Sequence, residues 1–399
     1  MKKIFAPVVA RMTILVGRSI AYTIILILPA CATLPRAEFT AREQQIAEVP
    51  GFKGIRTWGD GTPEDFKRNG VTLPSTDSHS VRYLALSSGG SGGAFGAGVL
   101  VGWTASGSRP VFDLVSGVST GALIAPFAFL GSEYDRTLAE IYTSDVAGDV
   151  VQMQFLPAGL FGSGILRPEP LRRLVEKYAD ERLLVAIAGE HRKGRRLLVV
   201  TTNMDAQRAV VWDMGKIAAS GRFEALKLFR DILVASASVP AVFPPVLIDV
   251  QAGGKHFQEM HADGGPSMQV FTIPEGLLST ASSRLLPKGT RADLYVVINN
   301  ALFPEFKVTS NNTFAVGDRG LDTMIKSQTR GSLDATYAFT KRAGIRFQVA
   351  SIDRTVPYSA LDPFNANYVR TLFKLGYDQA ISGQVWKTAP VFMNKALQG

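Results

Sequence analysis

Two short patterns in this chain set a hydroxyl and a carboxylate where covalent chemistry is feasible. The first is Gly117-Val118-Ser119-Thr120-Gly121, a serine with a glycine two residues to either side. That spacing suits a nucleophile on a sharp strand-to-helix turn, where side chains at the flanking positions would collide. The second is His261-Ala262-Asp263-Gly264-Gly265, a carboxylate at the start of a Gly-Gly turn. A third pattern, Ser87-Ser88-Gly89-Gly90-Ser91-Gly92-Gly93, is a glycine loop. Its backbone N–H groups, at the start of a helix, would favour an anion. Either a nucleotide phosphate or the oxyanion of a tetrahedral acyl intermediate would fit that description. No Gly-Lys-Ser/Thr follows, so it is not a Walker loop.

A serine hydroxyl needs a base. The four histidines, His79, His191, His256 and His261, all precede Asp263. The common α/β-hydrolase order, with histidine after the acid, is therefore absent. Asp263 is the carboxylate whose position offers an alternative base. His261 lies two residues earlier and would share its strand face. It reads either as a supporting base or as a structural histidine.

The elements that must position these groups alternate in type. Tyr83–Leu86 reads as a buried strand, and Ala94–Trp103 as a helix with small residues on one face. Val111–Ser116 reads as a strand, and Ala122–Leu130 as a helix that Pro126 should kink. Leu197–Thr202 and Phe257–Ala262 read as strands, as do Asp293–Asn299 and Gly344–Ser351. Residues 316–343 read as one long helix or a broken pair, and Asn365–Ser382 as a closing helix. This alternation predicts an α/β fold with a mainly parallel sheet flanked by helices. Asn203 and Asp205 fall at a strand end, and Asp205 is expected to be structural. Pro240–Pro245 should form a rigid pocket wall. Phe127, Phe129, Phe155 and Phe161 would line an acyl channel or simply fill the core.

The chain resembles the patatin-like phospholipases. Their glycine-rich oxyanion loop, Gly-x-Ser-x-Gly elbow and Asp-Gly-Gly/Ala aspartate occur here in that order, at 89–93, 117–121 and 263–265. Thr201–Asp205 and Ala235–Pro245 also look like blocks of that family, and the resemblance runs over roughly residues 81–270. It implies a three-layer fold and a dyad of Ser119 and Asp263. It also implies an oxyanion hole from Gly89, Gly90, Ser91, Gly92 and Gly93, elbow glycines Gly117 and Gly121, and motif glycines Gly264 and Gly265. The implied substrate is a phospholipid or other acyl ester. Many family members carry Arg or Lys where this chain has Gly92, and Gly where it has Ser88. The oxyanion site is then left to backbone donors. The alternatives are an esterase for small soluble esters and a non-catalytic lipid-binding envelope protein.

Composition narrows the rest. One cysteine and four histidines, none in a His-Glu-x-x-His pattern, argue against a metal site. Nothing calls for a cofactor. The formal charge of +9 includes Lys2, Lys3, Arg11 and Arg18, and no acidic residue precedes position 31. The remaining positive balance suits an anionic membrane surface, while no basic stripe interleaved with aromatics points to nucleic acid. The start of the chain has basic residues, then an apolar stretch from Thr13 to Leu28 interrupted by Arg18. That is the shape of a secretory signal. It ends Leu28-Pro29-Ala30-Cys31, which looks like a bacterial lipobox. Cleavage before Cys31 and acylation of its thiol would tether the chain to the cell envelope. With Ala32 next, the outer membrane facing the periplasm is favoured. An ordinary signal peptide or signal anchor with an incidental cysteine is the other reading. The expected division is residues 1–30 as signal, 31–80 as a linker and irregular arm, and 81–399 as the catalytic domain.

Overall fold

Short apolar runs bounded by glycine, proline and polar residues become strands here. Longer runs of small and apolar residues become helices. The computed structural model describes residues 36–71, 80–144, 166–278, 290–306, 308–354, 356, 364–390 and 392. Cys31, Phe155 and Phe161 lie outside the described residues.

Nine strands join one sheet: β1 (Arg56–Trp58), β2 (Ser80–Leu86), β3 (Leu114–Val118), β4 (Arg196–Asn203), β5 (Arg208–Asp213), β6 (Val246–Ala252), β7 (Lys255–Asp263), β8 (Arg291–Ala301) and β9 (Arg346–Ile352). The main order is β1-β5-β4-β3-β2-β8-β9, with the β6–β7 hairpin attached through β7 to β4. Five consecutive strands, β4, β3, β2, β8 and β9, pair in parallel. The margin is antiparallel: β1 on β5, β5 on β4, and β7 on both β4 and β6. Parallel pairing thus runs from β4 to the β9 end of the sheet, where helices cover both faces.

Alternate residues of the central strands feed two cores. Leu84, Leu86, Val115, Leu197, Val199 and Val297 pack with residues of the Gly93–Ala105, Thr120–Leu130 and Ala225–Ser236 helices. On the other face, Ala85, Leu294, Val296 and Ile298 meet Leu333 of the helix Thr313–Ala343. Leu114, Val118, Leu198 and Val200 meet Phe66 and Phe271. The small residues of the Gly93–Ala105 helix have a packing reason. A Cβ on Gly98 or Gly102 would strike the backbone at Phe373 or Tyr377, so this helix and Ala366–Ile381 touch backbone to backbone. Residues 313–343 are one unbroken helix. Phe127 and Phe129 are buried in the core.

The stretch expected as linker and irregular arm is partly built into the sheet. Residues 41–45 and 63–68 are capped helices, and β1 extends the sheet edge beyond β5. Gly-, Pro- and Thr-rich punctuation hides these pieces, each too short to show a periodicity. Arg56 of β1 reaches inward to the buried carboxylate of Glu259. Arg36 pairs with Asp205 at 2.6 Å and fixes the start of the arm to the turn after β4. Asp205 also accepts from the Met260 N–H, a bracing role. Among the described residues no helix is long and apolar enough to cross a membrane.

Candidate active site

Ser119 sits where β3 ends and the helix Thr120–Leu130 begins, with φ 56° and ψ −124°. That conformation is strained for a residue with a Cβ, by roughly 1–3 kcal/mol, and such strain collects at functional sites. Its hydroxyl makes no capping bond to the helix that follows. The flanking glycines are needed for close approach. A Cβ on Gly117 would strike the Gly121 carbonyl, and one on Gly121 would meet the carbonyls of Leu86 and Ser87 at the end of β2.

Sheet register brings the carboxylate to this serine. Val118 lies opposite Val200 in the parallel β3–β4 pair, and Asp263 lies opposite Thr201 in the antiparallel β4–β7 pair. β5 takes one edge of β4 over 198–203, so β3 and β7 lie end to end along the other edge, and Ser119, just past β3, meets Asp263, which closes β7. The Asp263 carboxyl is buried. Its Oδ1 accepts the Gly265 N–H at 2.7 Å. Its Oδ2 is buried without a partner of standard geometry, and the Ser119 hydroxyl bears on the same carboxyl as a hydrogen-bond donor. Burial pushes this carboxyl up to about 7, against the smaller opposing pull of the Ser119 and Gly265 hydrogen bonds. A carboxylate titrating near neutrality is a competent base at physiological pH.

The glycine loop divides into donors and supports. Residues 90–92 form a single 3₁₀ turn that leads directly into the helix. Within it the Gly92 N–H is bonded to the Gly89 carbonyl, and the Gly93 N–H to Gly90 and Ser91. The N–H groups of Gly92 and Gly93, expected as oxyanion donors, are therefore already committed. Those of Gly90 and Ser91 have no acceptor among the described residues. Gly92 and Gly93 serve close packing instead. A Cβ on Gly92 would overlap the Asn299 carbonyl oxygen, and one on Gly93 would overlap the Thr120 hydroxyl. The loop is thereby pressed against both β8 and the first turn of the elbow helix.

Three polar residues that sequence reasoning passed over hold this arrangement. The Ser236 hydroxyl, fully buried at the end of its helix, accepts the Ser119 N–H at 3.0 Å and donates to the Val200 carbonyl at 2.6 Å. Two residues on, the Ser238 carbonyl accepts the Asp263 N–H at 2.8 Å. One segment thus braces both Ser119 and the Asp263 carboxylate. Asn299, buried at the end of the apolar β8, donates from its side chain to the Ser87 carbonyl and from its backbone to the Ser87 hydroxyl. Gln269 joins Ser88 to Gly265. A buried serine in an apolar helix and an asparagine closing an apolar strand were the available signals, because buried polar groups need partners.

His261 faces away from Ser119. Its ring engages Thr201 at 2.9 Å and Glu259 at 3.1 Å, with Trp212 edge-on. Burial lowers its pKa. Burial alone would raise Glu259, but the His261 hydrogen bond and the Arg56 charge hold it down at about 2. This is a satisfied polar cluster in the core.

The family model described as patatin-like phospholipase matches residues 84–273, the span that carries every group above except Arg56 and Asn299. No curated protein matches significantly. Among solved structures, VipD from Legionella pneumophila is similar, with a TM-score of 0.36 and 13% identity over 78% of this chain and 68% of that one.

Proposed function

We propose, from the premise that residues 84–273 are a patatin-like phospholipase domain, that this chain hydrolyses carboxyl esters of membrane lipids with Ser119 as nucleophile and Asp263 as its base. The observation that carries the reading is the Asp263 carboxyl itself. One oxygen is held by the Gly265 N–H, the other is buried with no other hydrogen-bond partner among the described residues, the Ser119 hydroxyl acts on the same carboxyl, and burial sets its titration near 7.

In the proposed reaction Asp263 Oδ2 takes the proton as Ser119 Oγ attacks the ester carbonyl. The new O–C bond forms as the carbonyl π pair moves onto oxygen. The N–H groups of Gly90 and Ser91 are the donors left to receive that oxyanion. Each such donor contributes roughly 2.7–4 kcal/mol in the transition state. Collapse of the tetrahedral intermediate breaks the ester C–O bond, and Asp263 passes its proton to the leaving alkoxide. Water then attacks the acyl-enzyme, with Asp263 again accepting the proton. The positive N-terminus of the Thr120–Leu130 helix supports the negative charge. No step in this sequence calls on a metal or an imidazole.

A fluorophosphonate probe is expected to label the folded protein at Ser119, and kcat/KM is expected to rise with pH through a midpoint near 7. The sign follows from the mechanism: the ionised carboxylate is the active base, so protonation below its pKa removes activity. Absence of labelling in well-folded protein would favour a non-catalytic lipid-binding role. Comparing lipids from native membrane extracts, treated with wild type and with Ser119→Ala, would identify the ester cleaved.

We also place the chain in the bacterial envelope, anchored through Cys31 and facing the periplasm at the outer membrane. The lipobox-like residues 28–31 support this. Because Arg36 is pinned to Asp205, the tether from Cys31 would be only five residues, at most about 18 Å when extended. Cys31→Ser is expected to abolish fatty-acid incorporation and release the protein from membrane fractions. Unchanged fractionation would rule the anchor out.

A further inference from the structure

We propose that Gln269 is a positioning residue that locks the glycine loop to the aspartate turn, so that the oxyanion donors and the base keep a fixed spacing. The inference rests on the dyad reading above and adds a residue to it.

Gln269 is 3% exposed, and its side chain is used on both sides. Nε2 donates to the Gly265 carbonyl at 2.8 Å. Oε1 accepts the Ser88 hydroxyl. The Gln269 backbone carbonyl also accepts the Ser88 N–H at 2.8 Å. Partner chemistry fixes the orientation of the amide. A peptide carbonyl can only accept, so the NH₂ must face Gly265, and the amide oxygen then faces the hydroxyl. A primary amide donates at one end and accepts at the other while staying neutral at every pH of interest. Glutamate would set a second acceptor against the Gly265 carbonyl, and methionine would supply no donor.

The link runs straight into the chemistry. Gly265, whose carbonyl Gln269 holds, gives its own N–H to Asp263 Oδ1. Ser88, whose hydroxyl and N–H Gln269 holds, stands two residues before Gly90. Around Gly265, an added Cβ would lie 3.0 Å from Asp263 Oδ1, 3.3 Å from Gln269 Nε2 and 3.6 Å from Ser88 Cβ. Carboxylate, amide and loop therefore meet at one point. The serine at position 88, where the family resemblance leads one to expect glycine, supplies the hydroxyl that completes the link. Other bonds hold the start of the loop to β8: the Ser87 N–H to the Val297 carbonyl at 2.9 Å, the Asn299 amide to the Ser87 carbonyl at 2.8 Å and the Asn300 amide to the Ser88 carbonyl at 3.5 Å.

The groups acting on Asp263 are its burial, the Ser119 hydroxyl and the Gly265 N–H, with no charged side chain among them. His261, on the same strand, and Glu259 are turned to each other and to Thr201 and Arg56. The acid midpoint of activity therefore responds to how the Gly265 N–H is held, alongside the larger effects of burial and the Ser119 hydroxyl.

The test measures hydrolysis of p-nitrophenyl butyrate across pH by wild type, Gln269→Ala, Gln269→Met and Ser88→Ala, with active sites counted by fluorophosphonate. Both Gln269 variants are expected to lose roughly ten- to a hundredfold in kcat, with KM within about twofold, because misplacement by about an ångström costs that much. Their acid midpoint should move upward as the Gly265 N–H loosens. Ser88→Ala is expected to lose less kcat and to keep the wild-type midpoint, since the Gly265 half of the link remains. If Gln269 only supports the fold, its variants will melt earlier yet show wild-type kcat per labelled site and an unmoved midpoint, which overturns the proposal. Should the Gln269 variants fail to fold, wild-type kcat in Ser88→Ala overturns it. A wild-type protein that takes no label removes the dyad reading and this inference together. A labelled wild type with unaffected variants removes this inference alone.

Discussion

Asp263→Asn is expected to yield a protein that melts several degrees above wild type at about pH 8, yet hydrolyses esters at least a hundredfold more slowly. Both effects come from the same burial. In the folded chain the carboxyl titrates at about 7 rather than 3.8. The unfolded chain therefore releases its proton first as pH rises, and stability falls between about pH 4 and pH 7. At roughly 1.4 kcal/mol for each pH unit, the full cost is on the order of 4 kcal/mol above neutrality. Asparagine carries no charge to desolvate. Its Oδ1 can keep the Gly265 N–H, and its NH₂ can face Ser119 Oγ, so geometry survives while the base is lost. The gain in melting temperature should shrink as pH is lowered toward 4, where the aspartate is neutral in both states. Ser119→Ala should be equally inactive but without that pH-dependent gain. Thermal melts at several pH values check this. A variant no more stable than wild type at pH 8 would mean that the carboxyl is not desolvated as described.

Gly92→Ala is expected to cost at least 2 kcal/mol of stability and about ten- to a hundredfold in kcat, whereas Gly90→Ala is expected to cost only about 1 kcal/mol. At Gly92 an added Cβ would overlap the backbone carbonyl of Asn299, which cannot swing aside like a side-chain tip. The 3₁₀ turn must then shift, carrying the N–H groups of Gly90 and Ser91 with it. At Gly90 an added Cβ meets nothing, and only the positive φ of 53° is penalised. Urea melts beside steady-state kinetics distinguish the two. Equal effects at both positions would show that the loop is not clamped against β8. The same contact means that Gly92→Arg, which restores the cation many patatin-like chains carry there, should disrupt this loop rather than strengthen it.

Much of this site is legible in the order of residues. The elbow at 117–121 and the Asp-Gly-Gly turn are local patterns whose steric reasons act within a few residues. The central strands are legible because they are buried on both faces and read as apolar runs. The arm was less so: β1 is three residues long and belongs to the sheet only because β5 lies beside it. The antiparallel margin around β4 and β5 was likewise hidden, because pairing direction depends on which strands meet. The donor set of the glycine loop was read too broadly. Five residues look alike in sequence, and only their hydrogen bonds separate Gly90 and Ser91 from Gly92 and Gly93.

By itself the sequence determined which groups were available: a strained-turn serine, a carboxylate before two glycines, a glycine-rich helix start and no histidine after the acid. Steric and chemical constraints on neighbouring residues suffice for that. Tertiary structure alone decided that Ser119 and Asp263 meet where β3 and β7 abut along one edge of β4, because register couples residues more than a hundred positions apart. It alone supplied the Ser236, Gln269 and Asn299 braces, which span 117, 181 and 212 positions. It also raised the pKa of Asp263, since burial belongs to the packed interior and not to any stretch of chain.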